Sequence, residues 1–122
     1  MAERRSEQLG PLESELMELV WELDRPLSVR ELLERLNRGR DPQLAYTTVM
    51  TVASRLAEKG ALRRHRQGRG YIYEAAAPDA AALAVRSVLR DFGEEAVAHF
   101  VEEARDDPQA LRRLRRLLAE ES

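Results

Sequence analysis

Between Gly60 and Ala75 the chain changes its period, and that change narrows what it can fold into more than any other feature. Upstream, apolar residues recur at helical spacing; downstream, "LRRHRQGRGYIYEA" alternates and turns. Leu62 to Arg66 and Tyr71 to Ala75 predict two antiparallel strands around the loop Gln67-Gly68-Arg69-Gly70. Gly60, after Lys59, is the expected left-handed end of the preceding helix, with Leu62 covering it.

Three helices are expected before that switch. "GPLESELMELVWELDRP" carries Leu12, Leu16, Leu19, Val20 and Leu23 as one apolar stripe. Pro11 suits its first turn, Glu13 and Glu15 suit the positive end of its dipole, and Pro26 stops it. Trp21 reads as a core residue or a partly buried anchor. Ser28 and Glu31 have capping-box spacing, and Leu27 and Leu32 can staple around them. Val29, Leu32, Leu33 and Leu36 supply the buried face of this second helix, and Asn37 and Gly39 end it. The third helix is expected over about 44–59, burying Ala45, Val49, Val52 and Leu56. Three short helices followed by a β-hairpin is the plan of a winged helix-turn-helix domain.

A boundary is expected near Pro78, dividing the chain into a winged-helix domain, 1–78, and a helical region, 79–122. In the second part "DAAALAVRSVLRDFG", "EEAVAHFVEEA" and "DPQALRRLRRLLAEE" read as helices. Asp79 caps the first, Gly93 breaks it from the second, and Asp107 with Pro108 starts the third. Three short helices this apolar cannot easily bury their faces alone. Leu83, Val88, Leu89, Phe92, Val97, Phe100, Leu111, Leu114 and Leu118, with Val101 and Leu117, are therefore expected to pack against a second copy. The fold class is mainly α with a small β-hairpin wing, followed by a short all-α dimerisation region.

Charge locates the functional surface. The net charge of −2 argues by itself against nucleic acid. Residues 38–70, however, hold eight cations against Asp41 and Glu58, so 8 − 2 = +6. Residues 11–37 carry seven acids against three arginines, a net of −4, and residues 79–122 carry ten acids against seven arginines, a net of −3. A basic island between acidic segments focuses attraction for an anion on one face.

The outer face of the third helix presents Tyr46, Thr47, Met50, Thr51 and Ser54, with Thr48 and Arg55 at its flanks. Small hydroxyl side chains let a helix axis approach the floor of the major groove, and threonine can contact base edges, phosphates or a thymine methyl. Tyr46, at the helix start, can reach a phosphate. Arg64, Arg66, Gln67 and Arg69, with two glycines, make a short basic tip for phosphate contacts that carry little sequence information. Taken singly, a threonine-rich face and an arginine run are ordinary solvated surface. Their adjacency in winged-helix order is what points to double-stranded DNA. Two other readings fit the same plan: a winged helix used only to bind protein, and a regulator that senses a small ligand.

Other chemistry is thin. There is no cysteine, which excludes disulfides, zinc fingers and thiolate sensing and fits a reducing compartment. His65 lies among arginines, and His99, even with Glu95, Glu102 and Glu103 nearby, is a poor start for a metal site. No nucleotide cradle and no nucleophile–base pair suggests an enzyme, and no cofactor is expected. No apolar run approaches the roughly 20 residues of a membrane span, and "MAERRSEQLGPLESE" lacks the apolar centre of a signal peptide. A cytoplasmic location without membrane insertion is expected.

Four stretches, "LESELMELVWEL", "SVRELLERLN", "LAYTTVMTVASRLAEKGALRR" and "YIYEA", resemble the BlaI/MecI penicillinase-repressor family over residues 9 to about 118. The resemblance implies a homodimeric transcriptional repressor on a dyad-symmetric operator, with Tyr46, Thr47, Thr48 and Thr51 on the recognition helix. It places Arg64, Arg66 and Arg69 on or beside the wing. In β-lactam-responsive members, a sensor-activated protease ends repression by cutting before a phenylalanine in the second C-terminal helix. That position resembles His99–Phe100, with histidine where those members have asparagine. Copper-responsive relatives carry a cysteine pair that this chain lacks.

Overall fold

The computed structural model describes residues 9–121. The amino-terminal part of the stretch read against a signal peptide lies outside them. In chain order the elements are α1 (Pro11–Leu23), β1 (Leu27–Ser28), α2 (Val29–Leu36), α3 (Tyr46–Glu58), β2 (Leu62–Gln67), β3 (Gly70–Ala75), α4 (Ala80–Phe92), α5 (Glu94–Arg105) and α6 (Pro108–Glu121). The described residues pack as two units, and the division falls within α4, between Ala84 and Val85, later than Pro78.

Helix α1 starts as its sequence dictates. Pro11 occupies the first turn, and the Glu13 carboxylate accepts the Gly10 amide at 2.9 Å. The helix stops at Leu23 rather than running to Pro26. Proline disfavours helical backbone in the residue before it, so the turn must come early; Asp24 takes it, left-handed at φ 50°. Helix α2 has the reciprocal cap its sequence announces: Ser28 Oγ accepts the Glu31 amide at 3.1 Å and Glu31 accepts the Ser28 amide at 3.0 Å. Leu27 and Leu32, either side of that cap, are both fully buried.

Helix α3 is shorter than expected at its start, and Asn37 is the reason. The Asn37 side chain accepts the Leu44 amide at 2.8 Å and donates to the Leu44 carbonyl at 3.1 Å. Those backbone groups cannot also serve a helix, so Leu44 stays outside and Ala45 becomes the extended N-cap. Ala45 is accordingly exposed, and the inner face is Val49, Val52, Ala53 and Leu56. At the other end Gly60 (φ 83°) donates to Ala57 and Ala61 to Leu56, the paired bonds of a Schellman turn.

The sheet has three strands in the order β1-β3-β2, all antiparallel, where two were expected. Strand β1 is only Leu27 and Ser28, too short for any periodicity to show; it pairs with Tyr73 and Ile72. The hairpin is tighter than expected. Gln67 pairs with Gly70, leaving Gly68 and Arg69 as a two-residue turn with Gly68 at φ 61°.

One core joins these elements: Leu16, Met17 and Val20 of α1, Leu32 of α2, Leu56 of α3, and Leu27, Leu62 and Tyr73 of the sheet. Trp21 packs against it and donates to the Ala77 carbonyl at 2.9 Å. Leu83, expected to face a second copy, instead packs against this core.

Ion pairing ties the core's periphery together. Lys59 Nζ, following α3, lies 3.0 and 3.1 Å from the two Glu13 oxygens on α1. Burial pushes the Glu13 pKa up, but the Gly10 amide and the Lys59 ammonium outweigh it and leave the group below its ordinary value of 4.5. The Ser28 amide likewise lowers Glu31, against a smaller effect of burial and with help from Arg25. A depressed carboxylate contributes stability that is present above its unfolded pKa and lost as pH falls through its folded one. The urea midpoint should therefore hold steady down to about pH 5 and fall below it, and Glu13→Gln should flatten part of that fall. A midpoint that rises on acidification would contradict this.

The three C-terminal helices start and stop at the expected residues. Asp79 Oδ1 accepts the Ala82 amide at 2.9 Å at the start of α4. Gly93 breaks α4 from α5 at φ 58°. Asp107 Oδ1 accepts the amides of Gln109 and Ala110 at 3.1 and 3.2 Å, with Pro108 as the first residue of α6. Helix α5 packs on α6 around the buried Ala104.

Candidate nucleic-acid interface

Helix α3 buries one face and exposes the other. Because Val49, Val52, Ala53 and Leu56 anchor it, Tyr46, Thr47, Thr48, Met50, Thr51 and Arg55 are all exposed, and Ser54 is half-buried. The first turn has no side-chain cap. The positive end of the helix dipole therefore lies beside Tyr46, which is 43% exposed. The Arg30 guanidinium of α2 lies 5.9 Å from the centre of the Tyr46 ring, which adds a cation to this corner.

The Schellman turn feeds α3 directly into the hairpin, so the helix and the basic tip belong to one continuous run of chain. Register sorts the hairpin's side chains onto two faces. Residues paired across an antiparallel ladder point the same way. Arg64 stands opposite Tyr73 and Arg66 opposite Tyr71, on the face that begins with the buried Leu62. Arg63, opposite Glu74, and His65, opposite Ile72, lie on the other. There Glu74 collects them: its Oε2 is 2.5 Å from His65 Nε2 and 3.9 Å from Arg63 Nε. Arg69 sits in the turn itself.

The basic island is consequently smaller in structure than in sequence. Of its eight cations, Lys59 pairs with Glu13, Arg40 with Glu15, and Arg63 lies near Glu74. Among the described residues Arg38, Arg55, Arg64, Arg66 and Arg69 make no ion pair, and most of these border the α3 face or the hairpin tip. The structure thus gathers Tyr46, Thr47, Thr48, Thr51 and Arg55 on one helix face, and Arg64, Arg66, Gln67 and Arg69 on the adjoining hairpin. Arg30 and Tyr71 did not stand out in the sequence. Tyr71 was legible only through the register of the tight turn, which sets it opposite Arg66.

A surface of this kind, an uncapped helix with small hydroxyl side chains beside arginines that have no carboxylate partner among the described residues, suits a polyanion with a groove. The family model described as penicillinase repressor matches residues 9–120, nearly the whole chain. The chain belongs to the penicillinase-repressor family.

It is 40% identical over 116 residues to the transcriptional regulator BlaI of Mycobacterium tuberculosis, covering 86% of this chain and 80% of that one. An uncharacterized 16.5 kDa protein of Latilactobacillus sakei is 35% identical over 83 residues, 68% of this chain and 54% of its own. Among solved structures, the ferric uptake regulator of Francisella tularensis shares the fold, with a TM-score of 0.52 at 17% identity over 66% of this chain and 61% of that one. Bacillus licheniformis BlaI, solved as a monomer with the blaP half-operator, matches 59% of this chain and 84% of its own at 26% identity and a TM-score of 0.47. As a member of this family with transcriptional regulators for relatives, the protein is a DNA-binding transcriptional repressor and not an enzyme. No helix among its described residues is long and apolar enough to cross a membrane.

Proposed function

We propose that the repressor acts as a homodimer on a dyad-symmetric operator, each protomer laying α3 in a major groove and the β2–β3 hairpin on the flanking backbone. The observation that carries this is the exposed α3 face continuous with a hairpin whose Arg64, Arg66 and Arg69 have no carboxylate partner among the described residues. Two symmetric half-sites would lie about one helical turn apart, or a multiple of it. The dimer reading draws on the second unit, where Val85, Val88 and Leu89 of α4 and Val97 and Phe100 of α5 remain exposed in the single chain. A row of large apolar side chains in water is a surface awaiting a partner.

Helix and hairpin should fail differently. Thr51→Ala should change which sequence is preferred, because that side chain faces base edges. Arg66→Ala should weaken all duplexes alike and reduce the salt slope by about one. Binding titrations against several duplexes over a salt series separate the two. An Arg66→Ala protein with unchanged affinity and salt slope would remove the hairpin from the interface.

Derepression on this reading follows loss of the dimer, by cleavage at His99–Phe100 in α5 under an activated sensor protease. The family resemblance supports the position, with histidine preceding the phenylalanine here. Mass spectrometry of the protein from β-lactam-treated cells should show a fragment ending at His99. A chain that stays intact while repression lifts would point instead to a bound ligand.

A further inference from the structure

The hairpin treats its cations in two ways. On one face Glu74 lies beside Arg63 and His65, and partly cancels the charge of Arg63. On the other, both arginines gather on an aromatic ring. The Arg64 guanidinium lies 4.5 Å from the centre of the Tyr71 ring and that of Arg66 lies 5.7 Å from it. Arg66 also donates to the Tyr71 hydroxyl, at a long 3.4 Å. Tyr71 itself is 37% exposed, so burial in the core does not account for its place.

The two modes differ in what they leave available. A carboxylate consumes a guanidinium's charge and its in-plane donors. An aromatic ring meets the guanidinium through its flat face, leaving the charge whole and most of the in-plane N–H groups free. An arginine held this way has already lost part of the rotamer freedom that a phosphate contact would otherwise have to remove.

We infer that Tyr71 is a positioning residue of the DNA interface: its ring pre-orders Arg64 and Arg66 for the phosphate backbone without spending their charge. This rests on the hairpin contacting DNA, as proposed above. The device acts through the arginines, so Tyr71 is dispensable once they are gone. The aromatic face matters, and the hydroxyl, with its one long bond, matters little.

The test uses the full chain and a mixed-sequence duplex of about 30 base pairs, because backbone contacts carry little sequence information. Tyr71→Leu keeps apolar bulk in the strand but removes the ring; Tyr71→Phe keeps the ring. Tyr71→Leu should weaken binding about 5-fold, and Tyr71→Phe should stay within about 2-fold of the parent. In an Arg64→Ala/Arg66→Ala background, Tyr71→Leu should make almost no further difference. The inference is overturned if Leu and Phe behave alike, or if Tyr71→Leu is as harmful without the arginines as with them. The Arg64→Ala/Arg66→Ala protein keeps the two ideas apart: unchanged affinity there removes the hairpin contact itself, whereas weakened affinity with a harmless Tyr71→Leu removes only the role of the ring.

Discussion

Leu89→Asp and, separately, Phe100→Asp are expected to leave a folded monomer that binds operator about 100-fold more weakly than the parent, or worse. Both side chains are exposed in the single chain, at 44% and 57%, so an aspartate at either position disturbs little within the protomer. In the proposed dimer the same position is covered, and an unpaired carboxylate there is strongly unfavourable. The loss in affinity comes from geometry. With two linked protomers, the second half-site is met at a high effective concentration; a monomer meets each half-site alone. Light scattering on the eluting protein reads the mass, and anisotropy reads the affinity. A variant that remains dimeric, or a monomer that binds operator as tightly as the parent, contradicts this arrangement.

Leu56→Ala acts on the site from inside. Leu56 is fully buried on the inner face of α3, in the core shared with α1, α2 and the sheet. Replacing a buried leucine by alanine removes its transfer energy and leaves a cavity, at about 2–5 kcal/mol. Against a stability of about 5–15 kcal/mol for a small domain, that is a large share. The urea midpoint should fall sharply with an unchanged slope, since the surface exposed on unfolding hardly changes. DNA binding should fail at a lower temperature than in the parent, although no residue of the outer face has been altered. A midpoint within experimental error of the parent would mean that α3 is not anchored by this core.

These variants also mark which parts of the molecule were legible in the sequence. The inner stripe of α3 was, because an apolar period of 3.6 and a terminal glycine act locally. So was the capping box at Ser28 and Glu31, which needs only four consecutive residues. Features made by contact between distant residues were not. The two-residue strand β1 exists only because Tyr73 and Ile72 lie beside it. The start of α3 is set by the Asn37 amide reaching Leu44, which no propensity of Leu44 announces. Lys59 counted among the cations of the basic island until folding brought it to Glu13. The site was legible as a set of residues on two elements. The sorting of its arginines between Glu74 and Tyr71 depends on strand register, which a turn shorter than expected determines.

The central claim is that α3 and the hairpin read a symmetric DNA site. It is tested most directly by selecting bound duplexes from a random-sequence pool with the full-length protein, then titrating the enriched duplex and a shuffled one across a salt series. The account predicts an enriched consensus made of two inverted half-sites, bound far more tightly than its shuffled counterpart, with affinity falling steeply as salt rises. A pool that yields no symmetric consensus, with equal and weak binding to every duplex, would contradict it.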